Sequence, residues 1–391
     1  MRIRLYDVTR ITRTGLVPHS AIDAEDGAIT AVYDTLPAEE PGVRSVDAKG
    51  AYAAPGFIDI HLHGGGGVEF MDATPERIRA GCAAHARHGT TTLLPTTLAA
   101  SPELTLRMIR AVRQAQAATT ECTIAGVHLE GPFLSPAQSG AQSPDALSLP
   151  TPGLWDRLLD EWPGGVRIMG AAPELPGAMA LGEALRARGV VASIAHSDAD
   201  YETCRRALAC GFTDITHIYS GCSMVHRKNG YRFGGVVEAG LLEDAFTVQV
   251  IADGKHLPPE LLRLIVKCKG ADRISLITDA LFAAGSDLPD GSVLRQANGM
   301  ETVLEDGVMK LPDRQAFAGS VATMDRLVRN MVHLAGVPLW DAVAMATATP
   351  ARVIGLADRK GSLAPGFDAD IVLMDKQLNV KAVMARGQFV E

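Results

Sequence analysis

PGFIDIHLHGGGG, residues Pro55 to Gly67, runs apolar into His61 and His63 and then stops at four glycines. Side chains two apart on a strand share a face, so an H-x-H pair at a strand end points both imidazoles the same way. A single histidine there is more often a hydrogen-bonded structural group, whereas two side by side suit a divalent metal. The glycines allow two readings. They could cradle a phosphate through backbone amides, but no GK[ST] and no dinucleotide spacing accompanies them. A tight loop that lets the backbone pass close to a neighbour is the preferred reading.

Working outward, seven more strand-like runs follow: GTTTLLPTT, TIAGVHLEGPF, RIMGAAPE, GVVASIAHSDA, DITHIYSG, TVQVIADG and RISLITDA. Helical patterns such as TPERIRAGCAAHARH, SPELTLRMIRAVRQAQ and DYETCRRALACG lie between them, each opening on a Thr, Ser or Asp suited to an N-cap. Eight strands alternating with helices predict a closed (β/α)8 barrel over residues 55–360. An open doubly wound sheet is the alternative, because strand order is not written in the sequence. Residues 1–54 and 361–391 both break into short strand runs split by Gly, Pro and Asp. The two chain ends are therefore expected to pair into one small β-sandwich domain, its strands antiparallel, with the barrel inserted between them.

Several of the barrel runs end in residues with chemistry. Strand 1 carries His61 and His63, strand 3 His128 and Glu130, strand 5 His196 and Asp198, and strand 6 His217. Strand 7 carries Asp253 and, just beyond, His256, and strand 8 carries Asp279. In a barrel all these ends open on one face, so they would converge. Imidazoles with carboxylates suit zinc, with iron(II), manganese or cobalt as alternatives, and six of these residues, His61, His63, Glu130, His196, His217 and Asp279, are the candidate ligands for one or two ions. His85, His88 and His333 lie in helical stretches and are expected to pack or face solvent.

Composition excludes other classes. With 391 residues, 47% hydrophobic and 21% charged, the chain can bury a large core. A net charge of -8 argues against binding nucleic acid or an anionic membrane through bulk electrostatics. Six scattered cysteines without a CxxC pair read as reduced thiols. With no signal-like start and no membrane-length apolar run, a cytoplasmic protein is expected.

Taken together, GFIDIHLHG, HLEGPFLSP, AHSDADY, THIY, IADGKH, ITDA, FAGS and GSLAPGFDADIVLMD resemble the amidohydrolase superfamily, and within it the N-acetylglucosamine-6-phosphate deacetylase family. The resemblance implies metal-dependent removal of an acetyl group from a phosphorylated amino sugar. It implies Glu130, His196 and His217 as principal metal ligands, His61 and His63 as those of a second site, and Asp279 as catalytic acid/base. It implies sugar-phosphate contacts from His256 and from Phe317, Ala318 and Gly319, and a homodimer. Many binuclear relatives bridge their ions with a strand-4 lysine. This chain has no lysine between Lys49 and Lys228, so Glu130 is expected to supply the bridge.

The departures from the family pattern fall on expected substrate contacts. Ser220, Gly221 and Cys222 stand where the family usually has Asn-Ala-Met, and Gln142, after Ala141, stands where a histidine is usual. Gln142 could offer the acetamide carbonyl a neutral hydrogen bond. The following loop keeps its positive charge in His226, Arg227, Lys228 and Arg232, with Arg227 and Lys228 the candidate phosphate contacts, although a solvated loop is an equal reading. Another N-acyl substrate is the competing enzyme reading: an N-acetylgalactosamine 6-phosphate, an unphosphorylated sugar or an N-acyl amino acid. A silent binding protein on the same scaffold is the reading from outside enzymology.

Overall fold

The computed structural model describes residues 2–71, 73–297 and 299–391. Each of the eight predicted barrel runs is a strand: Phe57–Leu62, Thr90–Thr97, Val127–Glu130, Val166–Ala171, Val191–Ile194, Phe212–Ile215, Thr247–Val250 and Ile274–Leu276, hereafter barrel strands 1 to 8. Neighbours in sequence are neighbours in space, and every pairing is parallel. The ring closes between strands 8 and 1. Asp279 N–H donates to His61 O at 2.9 Å, and His63 N–H to Ala280 O at 2.8 Å. The open-sheet alternative is thereby set aside.

The helices start where their caps predict. Thr74, Ser101 and Asp200 each accept a backbone N–H of the first turn of Pro75–Ala86, Pro102–Ala118 and Tyr201–Ala209, a contact that contributes about 1 kcal/mol apiece. Their apolar faces pack on the barrel in one continuous core that includes Leu93, Ile109, Leu129, Ile194, Phe212 and Val248.

The two chain ends share an eight-stranded sheet. Ala53 and Leu373 are paired residues of antiparallel strands, so the last strand before the barrel lies against the first strand after it. The sheet has its own core of Leu5, Val8, Ile22, Ile29, Ile371 and Met384. One expectation is corrected. The sheet is mixed, because Ile3–Thr12 pairs parallel with both Arg44–Asp47 and Tyr52–Pro55. After a hairpin strand the chain crosses back before pairing again, and that return gives parallel neighbours. Buried Lys360 ties this layer to the barrel, meeting Asp370 at 2.6 Å and Thr123 Oγ1 at 3.3 Å.

Three small sheets among the described residues escaped the sequence reading, the smallest pairing Gly64–Gly65 with Val68–Glu69. After barrel strand 8, Val293–Arg295, Glu301–Glu305, Val308–Lys310 and Phe317–Ser320 form a four-stranded antiparallel sheet. After barrel strand 6, His226–Lys228 and Tyr231–Phe233 form an exposed hairpin around Asn229 and Gly230, both at positive φ. Asn-Gly is the usual two-residue hairpin turn, so that signal was present in the sequence. No helix among the described residues is long and apolar enough to cross a membrane.

Candidate metal centre and its cavity

The strand ends converge. Glu130 is buried at the centre, with Oε1 2.8 Å from His217 Nε2 and 3.1 Å from His196 Nε2. Its Oε2 faces the other side, 3.3 Å from His63 Nε2 and 3.6 Å from His61 Nε2. Asp279 Oδ1 completes the ring, 3.1 Å from His63 Nε2 and 3.5 Å from His61 Nε2. Among the described residues, His61 with His63 and Asp279, and His61 with Glu130 and His217, place their ligand atoms within 4.8 Å of one another.

The four imidazoles are oriented from behind. The Nδ1 atoms of His63, His196 and His217 meet the carbonyls of Thr96, Gln138 and Ser220 at 3.2, 2.8 and 3.0 Å, and His61 Nδ1 meets Gln249 Oε1 at 3.1 Å. A carbonyl oxygen only accepts, so each Nδ1 carries a proton. Any further proton is therefore held at Nε2, and a ring without it turns the lone pair of Nε2 to the centre, the tautomer a metal requires. Behind His61, Gln249 Nε2 donates to Asp214 Oδ2 at 2.7 Å, and Ser193 and Thr247 donate to the same carboxylate. Gln249, Asp214 and Thr96 were missed from the sequence. Each is a polar residue within a buried barrel strand that also carries threonine, so nothing in the local pattern singles it out.

Charge is balanced by proximity. Burial would raise Glu130, but the charge of His61 and hydrogen bonds from His196 and His217 hold it well below the usual carboxylate range. Burial likewise acts against Asp279, which His63, His61 and His217 keep below its ordinary value. Burial opposes the charged form of His63 too, yet its hydrogen bonds to Asp279 and Glu130 push it up to about 10. A proton on His63 Nε2 thus stands where a bound cation would fit, and a cation there would compete with it. His128 differs. Burial drives it well below its ordinary value, and with Nδ1 on Ile60 O at 3.0 Å it is a neutral support beneath His61.

The backbone is held in an uncommon conformation at three of these residues. His196, His217 and Asp279 have φ of 43°, 25° and 48°, a region that non-glycine residues enter at a cost of about 1–3 kcal/mol. The chain turns sharply as it leaves the strand, and each side chain is thrown back over the barrel axis.

A cavity of about 190 Å³ opens above the cluster, lined by His63, Glu130, His196, His217 and Asp279. Ala141, Gln142, Ser220, Gly221, His256, Phe317, Ala318 and Gly319 line it as well. His256 Nδ1 is fixed by Asp253 Oδ2 at 2.8 Å, and its ring lies 4.9 Å from that of Phe317. Arg227 and Lys228 do not line this cavity, because their hairpin stands out into solvent. Gln142 does not hold its amide free for a substrate: Oε1 accepts Ala99 N–H and Nε2 donates to Glu130 Oε2, both at 2.7 Å. His85 packs, with Nε2 2.8 Å from Gly64 O, and a Cβ on Gly65 would come within 2.4 Å of the same nitrogen. The first half of the glycine tract, Gly64–Gly65, is thus closely packed as a short strand against Val68–Glu69, and Gly66 and Gly67 are exposed at the turn.

Gly221 is required by this packing. Its φ is +58°, and a Cβ there would lie 2.7 Å from His196 Nδ1. Gly221→Ala is therefore expected to displace the His196 ring and weaken zinc binding about tenfold or more. A zinc titration of the variant checks this, and unchanged affinity would refute it.

A closed parallel barrel with H-x-H on strand 1, a carboxylate on strand 3, histidines after strands 5 and 6 and an aspartate after strand 8 defines a hydrolase of the amidohydrolase class. The chain belongs to the amidohydrolase family, whose model matches residues 52–390. Within it the chain belongs with the N-acetylglucosamine-6-phosphate deacetylases. It is 30% identical to N-acetylglucosamine-6-phosphate deacetylase of Bacillus subtilis (strain 168), over 98% of this chain and 96% of that one. It is 33% identical to N-acetylgalactosamine-6-phosphate deacetylase of Escherichia coli O157:H7, over 97% and 96%. The structure of a mutant N-acetyl-D-glucosamine-6-phosphate deacetylase from Mycobacterium smegmatis, in complex with N-acetyl-D-glucosamine-6-phosphate, superposes with a TM-score of 0.89 at 36% identity, covering 100% of this chain and 99% of that one.

Proposed function

We propose that the protein hydrolyses the acetamide of N-acetylglucosamine 6-phosphate to acetate and glucosamine 6-phosphate. The observation that carries this reading is the convergence of His63, Glu130, His196, His217 and Asp279 at the floor of one cavity, with His61 buried behind them against Glu130 and Asp279. The donor set suits zinc, held by Glu130, His196 and His217, with His61, His63 and Asp279 available to a second ion. A bound divalent ion supplies Lewis acidity there, acidifying water and polarising an amide carbonyl.

The chain's own groups supply the rest. Asp279, ionised and facing the cavity, takes a proton from the attacking water and returns it to the leaving nitrogen. Phe317, Ala318 and Gly319 wall the sugar, and His256, steadied by Asp253, meets the phosphate. The exposed hairpin carries Arg227, Lys228 and Arg232 outside its own cavity, which supports a homodimer in which one protomer's hairpin reaches its partner's phosphate.

The C4 epimer, N-acetylgalactosamine 6-phosphate, is the second reading, favoured by the relative from Escherichia coli O157:H7. Comparing kcat/KM for both phosphorylated sugars and for free N-acetylglucosamine tests the assignment. Two charge-assisted hydrogen bonds to phosphate predict a preference of about a hundredfold over the unphosphorylated sugar. Equal rates with and without phosphate would contradict the proposal, and a preference for the galactosamine form would select the second reading.

A further inference from the structure

Given the metal-dependent reading above, on which this rests, we infer that Gln142 is a positioning residue of the metal centre, holding Glu130 so that its two oxygens serve two different ions. Oε1 of Glu130 faces His196 and His217, while Oε2 faces His61 and His63. Nothing in a glutamate fixes that split. Its last torsion is broad and roughly twofold, so the carboxylate is otherwise able to turn both oxygens toward one ion.

The amide of Gln142 resists the turn. Its Nε2 donates to Glu130 Oε2 and its Oε1 accepts the backbone N–H of Ala99, each at 2.7 Å. The side chain is buried, so it acts as a short brace between the loop after barrel strand 2 and the central carboxylate.

This contact differs in kind from the others made by Glu130. The imidazoles approach it as N–H donors only while no cation is present, and a nitrogen that gives its lone pair to a cation stops donating. An amide nitrogen has no lone pair to give. Its hydrogen bond to Oε2 therefore survives loading of the centre, and the second lone pair of that oxygen remains for a cation. The glutamine that replaces the histidine usual in the family thus serves the scaffold of the centre rather than the acetamide carbonyl.

Zinc titration of the metal-free protein, with elemental analysis of the product, tests this. The wild type should bind two ions. Gln142→Met keeps the length of the side chain and removes the donor, so it should bind the first ion as before and the second about tenfold or more weakly. Electron paramagnetic resonance of the manganese-loaded protein gives a second readout. A carboxylate-bridged pair is exchange-coupled, and the variant should show isolated ions instead. If Gln142→Met folds poorly by circular dichroism, Gln142→Ala should show the same loss, since water can fill the space and satisfy Ala99. Two unchanged binding steps with a coupled spectrum in a folded variant would overturn the inference, as would a wild type that binds one ion only. A wild type that binds neither zinc nor manganese would strike down the metal-dependent reading itself.

Discussion

Asp279→Asn should lower turnover about a thousandfold or more, some 4 kcal/mol in the barrier, while leaving most of the capacity to bind a divalent metal in place. Asp279 Oδ1 sits 3.1 Å from His63 Nε2, and the carboxyl is held below its ordinary value despite burial, so it is a base at neutral pH. Asparagine keeps one oxygen that can face the ion but has no site to accept a proton. The distinction between ligand and proton carrier is therefore made by a single atom. Steady-state turnover set beside zinc content checks it. Turnover within tenfold of wild type at equal zinc content would remove Asp279 from the catalytic role.

Glu130→Ala should have the second large effect, a loss of zinc binding of about a hundredfold or more, with activity falling to background. Glu130 is fully buried and meets His61, His63, His196, His217 and Gln142 within 3.6 Å. Its removal leaves imidazoles facing one another without the central negative charge, and breaking a buried pair of this kind costs about 3–5 kcal/mol. Elemental analysis after dialysis, together with a thermal melt, separates loss of metal from loss of fold. Full zinc content in the variant would mean that the carboxylate is not a ligand.

Much of this was legible in the sequence because a parallel barrel writes its strands plainly. Strands buried on both faces read as apolar runs, and most of the ionisable residues at their ends are ones the structure brings together, His128, Asp198 and Asp253 standing outside the cluster. His61, His63, Glu130, His196, His217 and Asp279 were all picked out that way, and the positions chosen around FAG, Ser220 and Gly221 line the same cavity. What escaped has physical causes. The pairing direction of Arg44–Asp47 depends on how the chain returns to Ile3–Thr12, which no local pattern encodes. Gln249 and Asp214 act from within strands, where one polar residue among apolar neighbours gives no periodic signal. Gln142 was placed correctly near the site, but its partner could not be guessed: both ends of the amide are taken by groups from other elements, Ala99 and Glu130. Arg227 and Lys228 carry the charge expected of a phosphate site on a hairpin whose projection into solvent is a matter of tertiary geometry.

Acetate release from N-acetylglucosamine 6-phosphate, followed in the protein as purified, after removal of metal by a chelator, and after zinc is returned, tests the central claim most directly. The account predicts release in the first state, loss in the second and recovery in the third, with glucosamine 6-phosphate formed in equal amount. Release that persists undiminished in protein shown by elemental analysis to be free of metal, or no release from the zinc-loaded protein, would contradict it.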